Sequence, residues 1–260
     1  MHLEAVGEGT RTLVVLPGWR LDSEVEKAEW LPVLARSPGW RGVFVDTPGV
    51  GLARGDLAGV SDQGDVLTGL VQLLDDGAFG AQEIAVAGLS NGGALAIGLA
   101  RRRPRAVKGL ALRVPRMEAD DGAREAAGKR DWERSFAALP APARASHRSK
   151  YHALWEPAET RRTDAEFLRS IREDPSRYRV PDEQEPFSFA GPALVVLGRQ
   201  DPRSGWELAW ERLHHLPRAT VVLLDRAGHE LPVGESQAAV WETLALDWLF
   251  RVEESWTTVG

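Results

Sequence analysis

The chain has no cysteine among its 260 residues, which excludes disulfides, thiolate metal sites and a cysteine nucleophile together. It has no apolar run near the roughly 20 residues that span a bilayer. Its opening residues, MHLEAVGEGTRT, lack the apolar core of a secretory signal. An excess of positive charge is missing too: the formal net charge is −6, which argues against nucleic acid as a partner. Repeats, low-complexity tracts and an interdomain linker are also absent. These absences leave the expectation of a cytoplasmic protein with neither membrane nor nucleic acid as partner. With 43% hydrophobic and 27% charged residues, the composition is that of a globular domain with a sizeable core.

What is present is a rhythm. The stretches TLVVLPG (12–18), RGVFVDTPGVG (41–51), EIAVAGLS (83–90), VKGLALRVP (107–115), PALVVLGRQDP (192–202) and ATVVLLDRAGHE (219–230) read as buried strands and the turns that end them. Between them, Val66, Leu67, Leu70, Val71 and Leu74 recur at helical spacing and predict a helix over 62–76. A second helix continues from NGGALAIGLARRR to Pro104, and a third covers about 205–215. A last one carries Val240, Trp241, Leu244, Ala245, Trp248 and Leu249 on one face. The predicted fold is α/β, a mostly parallel sheet with helices on both faces. The rhythm breaks between 117 and 187, where charged residues, Ala and Pro dominate. There Trp132, Phe136, Leu139, Tyr151, Trp155, Phe167, Leu168, Ile171 and Tyr178 predict short helices with aromatic faces. The core is therefore expected from 1–116 and 188–260, with 117–187 inserted into it.

Ser90 stands where a buried strand gives way to a helix, in the sequence GLSNGG. A G-x-S-x-G pentapeptide occurs often by chance, but a strand before it and a helix after it are the context that makes it a nucleophile elbow. Residues two before and two after approach the backbone closely, and Gly88 and Gly92 occupy those places. Gly93 gives the helix room to pack. The helix N-terminus also favours developing negative charge beside the serine.

A serine needs a base, and the base an acid to orient it. Asp201 lies just beyond the strand in LVVLGRQDP, and His229 lies in the loop beyond LLDRAGHE. Strand ends of a parallel sheet bring all three residues to one edge. The order Ser, Asp, His is one of the known orders for such a triad. Asp225 competes as the acid but sits only four residues before His229, and Asp201 could alternatively cap the helix near Ser204. Backbone N–H donors for an oxyanion are expected at Asn91, directly after the nucleophile, and at Trp19, after Gly18 in LPGWRLD.

The residues GLSNGG, LGRQD and AGHE, in that order, resemble the α/β-hydrolase superfamily, and the resemblance covers most of the chain outside the insertion. VFVDTPGVG is similar to the family segment in which Asp46 has a structural role. The resemblance implies catalysis without a cofactor or metal: Ser90 attacks a carbonyl, His229 transfers protons and Asp201 orients His229. It implies a small ester as substrate, with thioesterase, C–C hydrolase and lyase chemistry open within the same fold. A non-catalytic ligand-binding protein of this fold is the reading from another class. Many members carry His-Gly where this chain has Pro17-Gly18, and the short N-terminus suggests that the first one or two strands of the full family sheet are reduced or missing. The insertion falls where family members carry a helical cap. From Arg124 to Arg179 it holds 13 Lys or Arg against nine Asp or Glu, a net +4. That excess reads either as a solvated helical face or as a cap arginine that meets an anionic substrate. The aromatics Trp132, Tyr151 and Trp155 are expected to form a small core of the cap itself.

Overall fold

The computed structural model describes residues 1–118, 139–201 and 203–257. Seven strands form one sheet: β1 (His2–Val6), β2 (Arg11–Leu16), β3 (Trp40–Asp46), β4 (Ile84–Leu89), β5 (Val107–Arg113), β6 (Ala193–Gly198) and β7 (Ala219–Leu224). Their order across the sheet is β1-β3-β2-β4-β5-β6-β7. Only β1 runs antiparallel, on β3; every other pairing is parallel. From β2 the chain steps outward to β3 and then returns to β4 on the other side. A crevice opens outside the carboxyl ends of strands where the order reverses in this way.

The helices are α1 (Ser23–Ala35), α2 (Gln63–Asp75), α3 (Asn91–Arg102), α4 (Ala141–Lys150), α5 (Glu156–Arg161), α6 (Ala165–Arg172), α7 (Pro175–Tyr178), α8 (Glu207–Leu213) and α9 (Gly234–Thr257). A single π-helical turn, Tyr151–Trp155, joins α4 to α5. Along β2 the side chains alternate between two cores: Val14 and Leu16 face α2, α3 and α8, whereas Leu13 and Val15 face α1 and α9. Both faces are covered, so β2 and β4 are apolar without alternation, as a two-sided burial requires. On the α9 side, Trp30 packs edge-on against Trp241 and Trp248 at 5.0 and 6.0 Å.

The six strands read from sequence and the helices over 62–76, 91–104, 205–215 and at the C-terminus all form. Two elements were not legible. The strand β1 is a short, half-buried edge. Helix α1 carries Pro32 inside it and turns the charged Glu26 and Lys27 inward, which masks its apolar face. Between β5 and β6 the chain runs through α4–α7, which makes the second half of 117–187 helical. Trp132 and Phe136 lie outside the described residues. Trp155 corrects one expectation: it joins the core cluster between the sheet, α1 and α9, rather than a separate core within the insertion. Tyr151 is likewise packed against that cluster.

Candidate active site

The strand β4 delivers Ser90 onto a turn with φ 52° and ψ −114°, in the sparsely populated positive-φ region for a residue with a side chain. Such a conformation costs on the order of 1–3 kcal/mol and persists only where its surroundings hold it. Here they do. The Ser90 N–H donates to the Arg113 carbonyl at 3.0 Å, and the Ser90 carbonyl accepts from Gly93 and Arg116 at 2.9 Å each. A Cβ on Gly88 would lie 2.6 Å from the Gly93 nitrogen, and one on Gly92 would lie 2.5 Å from the Pro17 carbonyl oxygen. Both glycines are therefore required by backbone approach. A serine at a helix start commonly caps it, yet the Ser90 side chain makes no cap hydrogen bond. Among the described residues the hydroxyl makes no hydrogen bond, which leaves it available.

Asp201 follows β6 and His229 follows β7, and the structure brings these two together. The His229 Nδ1 lies 2.9 and 3.0 Å from the two Asp201 carboxylate oxygens. A carboxylate only accepts, so Nδ1 carries the proton and Nε2 is left as a base. Oδ1 of Asp201 also accepts from the backbone N–H groups of Arg203 and Ser204, at 2.8 and 3.2 Å. Asp201 thus orders its own turn as well as the imidazole. Asp225 is solvent-exposed and lies 3.9 Å from Arg199. Among the described residues no hydrogen bond joins Ser90 to His229; such contacts are often long before substrate binds. Neither the Asn91 nor the Trp19 N–H has an acceptor among the described residues. Asp46 is structural: its buried carboxylate accepts from the Ser23 and Leu52 N–H groups at 2.7 and 2.8 Å.

Several residues around the site escaped the sequence reading. The indole of Trp155 stands edge-on to the His229 ring at 5.8 Å. Glu230, directly after His229, is buried with Arg203 Nη2 at 3.9 Å and His147 Nδ1 at 3.7 Å. The Arg203 guanidinium also reaches Glu159 of α5 at 3.1 Å. Only the adjacency in AGHE hints at Glu230; His147 and Trp155 arrive from far along the chain. Many cations between α4 and α7 are already engaged. Arg162 makes a two-pronged pair with Asp22, Lys150 pairs with Glu29, and Arg177 donates to backbone carbonyls. These contacts favour cations that clasp insertion to core over cations reserved for an anionic substrate. Arg124, Lys129, Arg130 and Arg134 lie outside the described residues.

Burial alone would raise the Glu230 carboxyl, but His147, Arg203 and His229 outweigh it and hold it down from 4.5 to about 2. A depressed carboxylate contributes stability that is present above its unfolded value and lost as pH falls through the folded one. From these two values the contribution is about 3 kcal/mol, lost as pH falls from about 4.5 to about 2. Glu230→Gln is therefore expected to be clearly less stable than wild type at pH 6. Urea unfolding repeated at pH 3 should find the gap between the two proteins narrowed by roughly half.

A family model described as the alpha/beta hydrolase family matches residues 13–243, and the chain belongs to that family. Among solved structures, the chain is similar to an alpha/beta superfamily hydrolase from Oenococcus oeni PSU-1. That match has 20% identity and a TM-score of 0.74 over 97% of this chain and 95% of that one. A thermophilic esterase from Thermogutta terrifontis, solved with malate bound, matches at 21% identity and TM-score 0.71, over 96% and 93%. MenH from S. aureus matches at 17% and 0.70, over 97% and 99%. No curated protein matches the sequence. At these identities the structural likeness carries the fold alone. Among the described residues no helix is long and apolar enough to cross a membrane, and no cluster of three His, Asp or Glu could hold a metal ion.

Proposed function

We propose that the protein is a serine hydrolase in which Ser90, His229 and Asp201 cleave a small carboxylic ester through an acyl-enzyme. The observation that carries this reading is the buried Asp201–His229 pair, set on the same sheet edge as a serine held at positive φ whose hydroxyl makes no hydrogen bond among the described residues. His229 Nε2 takes the proton as Ser90 Oγ attacks the carbonyl, and Asp201 stabilises the imidazolium that forms. The oxygen of the tetrahedral intermediate is received by the Asn91 and Trp19 N–H groups, neither of which has an acceptor among the described residues. His229 then returns the proton to the leaving alcohol. Water attacks the acyl-enzyme by the same path in reverse. Pro17, standing where many relatives have histidine, does not remove this site, because the donors are backbone groups.

The segment 117–187 acts in this reading as a cap over the site. Its support is the set of contacts that α4, the π-helical turn and α5 make at the acid and base loops, through His147, Trp155 and Glu159. A cap in that position excludes water and shapes the acyl pocket.

The test is labelling with a fluorophosphonate, which phosphonylates a serine only when its base activates it. The wild type is expected to label at one site. Hydrolysis of a panel of esters varied in acyl length and leaving group would accompany it. A wild type that neither labels nor hydrolyses any member would leave the fold as a ligand-binding scaffold and sink the proposal.

A further inference from the structure

Asn91 carries more than a backbone donor. Its side chain is buried, and Nδ2 donates to Gln63 Oε1 on the first turn of α2 at 2.9 Å. Its Oδ1 accepts from Arg116 Nε at 3.2 Å. Arg116 sits just past β5 and is itself buried against Glu183, with Nη1 2.9 Å from Oε2. The Arg116 backbone N–H holds the Ser90 carbonyl, and its Nη2 donates to the Tyr178 carbonyl at 3.4 Å. The same guanidinium lies 4.5 Å from the centre of the Tyr178 ring, and that ring meets the Trp19 indole edge-on at 4.8 Å. One side chain thus touches the residue of one expected oxyanion donor and, through one aromatic ring, the residue of the other.

We propose that Arg116 is a positioning residue that fixes Asn91 and Trp19 relative to each other, so that their N–H groups converge on one oxygen. This rests on the serine-hydrolase reading. The chemistry favours arginine for the task. Its planar fork gives several donors in fixed directions, so Asn91 is held by Nε while the two terminal nitrogens engage Glu183 and the Tyr178 carbonyl. The Asn91 amide is held from both sides and has no freedom to rotate the peptide that carries its N–H. Tyr178 and Glu183 belong to the 117–187 insertion, so the position of that segment is transmitted to the oxyanion donors. The arrangement is not needed to make a helix start: a buried Asn–Gln–Arg–Glu chain is costly unless every member is satisfied.

The experiment compares Asn91→Ala and Arg116→Lys with wild type on the best ester of the panel, together with inhibition by a trifluoromethyl ketone that forms the tetrahedral adduct with serine. Asn91→Ala keeps the backbone donor and removes both tethers. Arg116→Lys keeps the charge beside Glu183 and removes the fork. A donor displaced by about 1 Å is expected to lower kcat by up to about 100-fold, with KM within about threefold of wild type. Ketone affinity should fall by a similar factor, whereas a merely structural role would move the melting temperature and leave these ratios alone. If either variant fails to fold, Tyr178→Leu, which removes the ring between Arg116 and Trp19 and keeps the Tyr178 carbonyl, is measured in its place. Variants that keep kcat and ketone affinity near wild type, or that lose activity through KM alone, overturn the positioning role while a labelled wild type keeps the serine-hydrolase reading intact. A wild type inert to fluorophosphonate and esters overturns both.

Discussion

Ser90→Ala is expected to lower kcat by about 10⁶-fold and to abolish fluorophosphonate labelling, with the fold unchanged. The magnitude follows from what remains when the nucleophile is gone: binding and oxyanion stabilisation alone, worth about 10³–10⁴ over the uncatalysed reaction. The fold should survive because alanine keeps the Cβ that already fits at φ 52°, and the backbone bonds to Arg113, Gly93 and Arg116 do not involve the hydroxyl. His229→Ala should be as severe, since an unactivated serine hydroxyl is a weak nucleophile. The double variant should fall no further than either single one, because the two act as a unit. Steady-state kinetics of the three variants on one ester checks this. A loss that multiplies in the double variant would separate the two residues into independent roles.

Asp201→Asn is the second large effect, and the hydrogen bonds give its direction. Oδ1 of residue 201 is required as an acceptor by the N–H groups of Arg203 and Ser204. An asparagine therefore keeps its carbonyl oxygen there and turns its NH₂ toward His229. An NH₂ facing Nδ1 forces that nitrogen to accept, which moves the ring proton to Nε2 and removes the base that Ser90 needs. The expected loss in kcat is about 10⁴-fold, with the loop and the melting temperature largely retained. Asp225→Asn serves as the comparison and should stay near wild type, since that side chain is exposed and faces Arg199. The reverse ranking would make Asp225 the acid.

Much of the sheet and the outline of the site were legible along the chain because their signals are local. A strand buried on both faces is a continuous apolar run, and β2, β4 and β6 are such runs. The elbow is local as well. Glycine at 88 and 92 answers the approach of Gly93 and Pro17, and both contacts belong to the strand-turn-helix geometry that GLSNGG encodes. Asp201 and His229 could be named because each immediately follows an apolar run, and parallel strands deliver their carboxyl ends to one edge. Helix α1 was hidden because Glu26 faces inward to Arg113 at 2.6 Å, and a charge buried by a distant partner defeats any reading of hydrophobic period.

The sequence by itself thus determined the α/β architecture, the strained turn at Ser90 and the candidate acid and base, since each depends on residues within a few positions of one another. The tertiary structure decided the rest. It separated Asp201 from Asp225, which differ by burial and partner rather than by residue type. It seated Trp155 against His229, and it buried His147 beside Glu230. It also ran Gln63, Asn91, Arg116 and Tyr178 into one chain of contacts beneath the elbow. Those residues lie on four different segments, and no local rule of propensity or period relates them. Only the packing of these four segments against one another brings them together.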